Sequence, residues 1–147
     1  MRTILSLIAL TLLGSAAQAQ LRVPFINRQP AQPAVQGIDA LRLEFATQSG
    51  GSTIYFGTES STLGAPARAV LSAQAAWLRR HPEVVVRIEG YGDGGDTRDH
   101  ALAMGARRAE EARNYLLLLG VPSAQVTATS WGKERPGLGR AVTILVR

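Results

Sequence analysis

The chain has 147 residues, a formal net charge of +5 and no cysteine. That length suits one domain with short appendages, and a domain of this size can bury a sufficient core without staples. The missing thiols exclude disulfides within these residues and lead us to expect no cysteine-linked lipid anchor, while the basic charge is dispersed, without the aromatic-interleaved stripe that grips nucleic acid.

Residues 1–19 read as a secretory signal. Arg2 supplies the positive charge, residues 4–13 form a short apolar run, and Ala17-Gln18-Ala19 is a small-residue cleavage box. The run is too short to span a bilayer, so the expected product is exported to the periplasm, beside the cell wall or outer membrane. Residues 20–37 carry Pro24, Pro30 and Pro33 among Gln, Ala and Arg and read as an extended tether. The remaining residues, 38–147, form the expected domain, with its core in 53–147.

Within that domain, Leu41-Arg42-Leu43-Glu44-Phe45 alternates apolar and charged residues, as a half-buried strand does, and residues 53–56 read as a second strand after a Gly-Ser turn. The spacing predicts a helix over 65–80. Pro66 sits in its first turn, and Ala67, Val70, Leu71, Gln74, Trp77 and Leu78 make its inner stripe. A strand over 84–89 is apolar on both faces at its start and is expected at the centre of the sheet. A second helix spans 97–119, with Asp96 as its N-cap and Leu102, Gly105, Ala109, Ala112, Leu116 and Leu119 facing inward. Strands over 126–131 and 141–146 complete a βαβαββ order, an α/β two-layer sandwich with both helices on one sheet face.

The stretch from Gly90-Tyr91-Gly92-Asp93 to Arg107-Arg108-Ala109 is the candidate site. It places a carboxylate, Asp93, on the loop leaving a strand and a guanidinium, Arg108, on the helix that follows. Brought to one mouth, the two can grip a zwitterion, Asp93 taking an ammonium and Arg108 a carboxylate. Gly90-Tyr91-Gly92-Asp93-Gly94-Gly95 also fits a dinucleotide fingerprint. Asp93 would repel a pyrophosphate there, and no acidic residue ends the next strand to hold a ribose. These glycines are read instead as relaxing a tight loop. His100, near Asp93, Asp96 and Asp99, is read as part of a solvated acidic helix start, with no metal bound, and His81 as a helix-end cation. No nucleophile has a visible base partner, so neither an enzyme nor a cofactor is expected.

From Ile54 onward the chain resembles the OmpA-like peptidoglycan-binding domain family, in its peptidoglycan-associated lipoprotein branch. The resemblance rests on Ile54-Tyr55-Phe56, Ala75-Ala76-Trp77-Leu78 with Pro82, Val86-Arg87-Ile88-Glu89-Gly90, Arg107-Arg108-Ala109, Leu119-Gly120-Val121, Gly132-Lys133-Glu134-Arg135-Pro136 and Arg140-Ala141-Val142. It implies non-covalent binding of peptidoglycan through the diaminopimelate of its stem peptide. The family's acidic and arginine positions that hold this amino acid fall on Asp93 and Arg108 here, and Phe56 and Met104 are expected to form an apolar wall. This chain departs from the family pattern at Gly57, Asp96, Ala101 and a short 136–140 loop. The missing asparagine at 101 is expected to soften the pocket. The alternative is a structural adaptor with a decayed site that binds an envelope protein.

Overall fold

The computed structural model describes residues 37–135 and 139–147; the expected signal, and the expected tether up to residue 36, lie outside them. In chain order the elements are α1 (Ile38–Gln48), β1 (Thr53–Tyr55), α2 (Ala65–Leu78), β2 (Val86–Tyr91), α3 (Arg98–Leu118), a short 3₁₀ turn (Ser123–Gln125), β3 (Val126–Gly132) and β4 (Arg140–Leu145). From Thr53 onward this is the βαβαββ order expected. The sheet runs β1-β4-β2-β3, with β2 and β3 parallel and both β4 pairings antiparallel. Strand β2 is central, as its two-faced apolar start requires.

The first element is a correction. Residues 41–45 are not a strand hairpinned to β1; they lie inside α1, and β1 pairs with β4 instead, Ile54 opposite Ala141. Alternation at 41, 43 and 45 fits a strand, but Ile38, Leu41 and Phe45 are spaced three and four apart, which is one helix face. Phe45 on that face is buried, whereas Leu43, which a strand would bury, is 68% exposed. Helix α1 packs on α2 through Phe45, whose ring meets Trp77 edge-on at 5.1 Å, and the Trp77 indole N–H donates to Glu44 Oε1 at 3.2 Å.

Helix α2 starts behind Gly64 with Pro66 in its first turn, where a missing N–H leaves no bond unmade. Of its expected stripe, Ala67, Leu71, Gln74, Trp77 and Leu78 are buried and Val70 is half-buried. Gln74 is tolerated there because both ends of its amide are paired: Nε2 donates to the Gly51 carbonyl and Oε1 accepts from Thr143 Oγ1.

Helix α3 is capped by Thr97, whose hydroxyl accepts from the His100 N–H at 3.3 Å, not by Asp96 as expected. Gly105, Ala109, Ala112 and Leu116 of its expected inner face are buried and Leu119 packs against the core; Leu102 is instead 47% exposed, and Ala101, Met104 and Arg108 complete the buried face. Small residues face the sheet because the helix lies almost on it. A Cβ added at Gly90 of β2 would fall 1.9 Å from the Gly105 carbonyl oxygen, and one at Gly92 would fall 2.5 Å from the Ala101 backbone. Gly90 and Gly92 have no positive φ. They serve close helix–strand approach, not the relaxed loop expected. Gly90→Ala is therefore expected to push α3 off β2 and cost about 1–3 kcal/mol or more, since backbone stands on both sides of the clash. An unchanged urea midpoint would disprove so close a contact.

Candidate functional site

The approach of α3 to β2 carries Arg108 under the end of that strand. Its side chain is fully buried and all five of its N–H groups are used. Nε donates to the Ser60 carbonyl at 2.8 Å; one terminal nitrogen donates to the Tyr91 carbonyl (2.8 Å) and Asp93 Oδ1 (3.0 Å); the other donates to the Gly57 carbonyl (3.0 Å) and Asp93 Oδ2 (3.1 Å). The result is a bidentate fork on Asp93 that also ties together the loop after β1, the end of β2 and α3. The two predicted residues are thus brought together, but as partners of each other. In this state Arg108 holds no N–H free for a ligand's carboxylate.

Asp93 Oδ2 also accepts from the Glu59 backbone N–H at 2.8 Å, and its side chain keeps 17% exposure. The Arg108 fork, helped by that N–H, holds the Asp93 carboxyl below its ordinary value of 3.8 against the opposing effect of burial. Folding therefore favours the ionised form. Asp93 contributes stability above its unfolded pKa, and that contribution is lost as pH falls through the lower folded value. The stability gap between wild type and Asp93→Asn is expected to be full at pH 7 and to shrink below about pH 4. Urea midpoints at pH 7 and pH 3 check this; a gap that widens in acid would refute the sign.

The expected apolar wall divides. Phe56, half-buried, presents its ring 5.5 Å from the Arg108 guanidinium carbon, whereas Met104, one turn before Arg108, is buried. Position 101, where an asparagine was expected to fasten the loop, lies against the loop backbone. Ala101 is fully buried under Gly92, and the Gly92 backbone is fixed on both sides, its N–H donating to Gly132 and its carbonyl accepting from Gly139.

A family model described as the OmpA family matches residues 55–141, more than half of the chain. The chain belongs to the OmpA family. It is 44% identical over 86 residues to the peptidoglycan-associated lipoprotein of Rhizobium meliloti (strain 1021) and 42% identical over 86 residues to that of Agrobacterium fabrum. Each match covers 58% of this chain and 49% of the relative, so the chain spans about half the length of these curated relatives. Among solved structures, the peptidoglycan-associated lipoprotein from Burkholderia pseudomallei superposes with a TM-score of 0.63 at 33% identity, covering 65% of this chain and 91% of that one. The C-terminal domain of Helicobacter pylori MotB shares the fold, with a TM-score of 0.59 at 17% identity over 65% of this chain and 84% of that one.

Sequence reasoning passed over one grouping within this OmpA-family fold and the glutamate of another. Glu89 is buried on the sheet face away from α3, accepting from Arg87 and from the Tyr91 hydroxyl. Burial pushes its pKa up, but the hydrogen bonds from Arg87 and Tyr91 and the Arg87 charge help hold it low. The alternation of β2 could have flagged Glu89, Tyr91 and Arg87 as one outward row. The second grouping joins Glu59 to Asp96 and His100, and neither Asp93 nor Asp99 belongs to it.

Proposed function

We propose that the protein binds peptidoglycan non-covalently in the bacterial envelope, through the diaminopimelate of the stem peptide at Asp93 and Arg108. The observation that carries this reading is the Arg108–Asp93 fork. It fixes an ionised, partly exposed carboxylate at the end of β2, with Phe56 beside it, on a fold shared with proteins named for association with peptidoglycan. Asp93 takes the ligand's ammonium. Arg108 keeps Asp93 ionised and aimed, and exchanges a carbonyl partner on the 57–60 loop for the ligand's carboxylate. The binding is without turnover: a carboxylate locked to arginine and held below its ordinary pKa is a poor proton shuttle at neutral pH. In this reading a signal over 1–19 exports the chain and so brings the domain to the wall. The relatives are named lipoproteins, whereas these 147 residues contain no cysteine.

Co-sedimentation with purified sacculi tests the reading. Wild type is expected to pellet with them, to be released by free diaminopimelate, and to lose about 2–5 kcal/mol of binding in Asp93→Ala if the contact is desolvated. Folding of the variant is checked by circular dichroism. If Asp93→Ala pellets like wild type, the assignment fails; if wild type stays in solution, the adaptor reading takes its place.

A further inference from the structure

Glu59, in the loop after β1, meets Asp96 and His100 at the start of α3, and one donor atom from each lies within 4.8 Å of the others. Glu59 Oε2 is 2.8 Å from His100 Nε2, and Asp96 Oδ2 is 3.8 Å from the same nitrogen. One ring nitrogen carries at most one hydrogen, so it can serve only one of two carboxylates. The other is left wanting: Asp96 Oδ2 is enclosed and has no hydrogen-bond partner among the described residues. A buried carboxylate oxygen without a donor is costly unless something positive occupies the space it faces.

His81 shows that composition alone does not make this arrangement. It too has two glutamates nearby, but Glu44 faces its Nε2 at 3.6 Å and Glu83 its Nδ1 at 3.3 Å, and its ring is stacked on Trp77. Carboxylates on different ring nitrogens cannot share an ion with that histidine. At His100 both converge on one nitrogen.

We propose that Glu59, Asp96 and His100 form a divalent-cation site of the zinc type. Two carboxylates match a doubly charged ion, and an imidazole among them favours zinc over magnesium or calcium, which take oxygen throughout. Around a tetrahedral zinc the donor atoms stand about 3.3 Å apart, given metal–ligand bonds of about 2.0–2.2 Å. The observed 2.8 and 3.8 Å bracket this, and the exposed side chains of Glu59 and His100 are free to adjust. Three protein ligands leave a fourth position for water or an outside group. The Glu59 N–H also donates to Asp93. An ion here therefore clamps the loop after β1 to α3, next to the Arg108–Asp93 fork.

The chain has two histidines and no cysteine, which makes the ligand test clean. Purified, EDTA-treated full-length protein is titrated with zinc chloride by calorimetry at pH 7.5, with His100 Nε2 followed by ¹⁵N NMR. One equivalent is expected to bind, to shift that nitrogen and to raise the melting temperature, with no competition from equimolar magnesium. His100→Ala and Asp96→Asn are each expected to weaken binding by about tenfold or more, since even outer-shell partners are worth that much. His81→Ala is expected to leave binding unchanged. No zinc binding up to millimolar concentration, or binding that survives both site variants as adventitious surface association only, overturns the proposal.

Discussion

Arg108→Ala is expected to destabilise the protein by about 3–5 kcal/mol, the cost of breaking a buried ion pair by removing one partner. The change strips five hydrogen bonds at once. It leaves the Asp93 carboxylate with only the Glu59 N–H, and removes the guanidinium donor of the Ser60, Tyr91 and Gly57 carbonyls. Arg108→Lys recovers only part of this, because one ammonium on a flexible stem cannot reach acceptors arranged around a planar fork. Asp93 and Arg108 are in direct contact, so their effects are not additive. The double Asp93→Ala/Arg108→Ala variant is expected to cost less than the sum of the singles, by about 1 kcal/mol or more. Urea titrations of the four proteins measure this. Additive losses would mean that the fork is not a unit, and that Arg108 acts on Asp93 only through the general fold.

Trp77→Ala carries the next largest expected effect, about 3–5 kcal/mol, from a large cavity in the core. Trp77 is fully buried, and three side chains meet on it. Phe45 of α1 stands edge-on to its ring, His81 stacks on its face at 3.9 Å, and Glu44 accepts from its indole N–H. Its loss therefore also undocks α1, which has no place in the sheet. Protease cleavage within 38–48 is expected to appear in the variant under conditions where wild type is intact. A urea midpoint within about 0.5 kcal/mol of wild type would show that α1 and the core do not depend on this ring.

Local pattern was enough wherever one element's own periodicity set its burial. Trp77, Leu71 and Leu78 could be placed inside from helical spacing, and the two-faced apolar start of β2 gave its central position, because both signals repeat within a few residues. Asp93 and Arg108 were legible for the same reason: a strand ends, a helix follows, and both ends of that unit share one mouth. Where two periods fit one short segment, the sequence did not decide. Residues 41–45 satisfy alternation as well as they satisfy a helix, and only the docking of Phe45 on Trp77, 32 positions away, selects the helix. Long-range geometry also set what local reading could not reach. That Arg108 spends every N–H inside the protein depends on carbonyls 48 and 51 residues earlier in the chain. That Gly90 and Gly92 exist for contact, not freedom, depends on how near α3 lies. That His100 faces a glutamate and not its neighbouring Asp99 depends on a loop 41 residues upstream. The sequence by itself determined the elements from Thr53 onward, the sandwich and the pair of residues to watch, since those follow from periodicity and charge along the chain. The tertiary structure alone decided which groups satisfy one another, because hydrogen-bond saturation is a property of distances between segments.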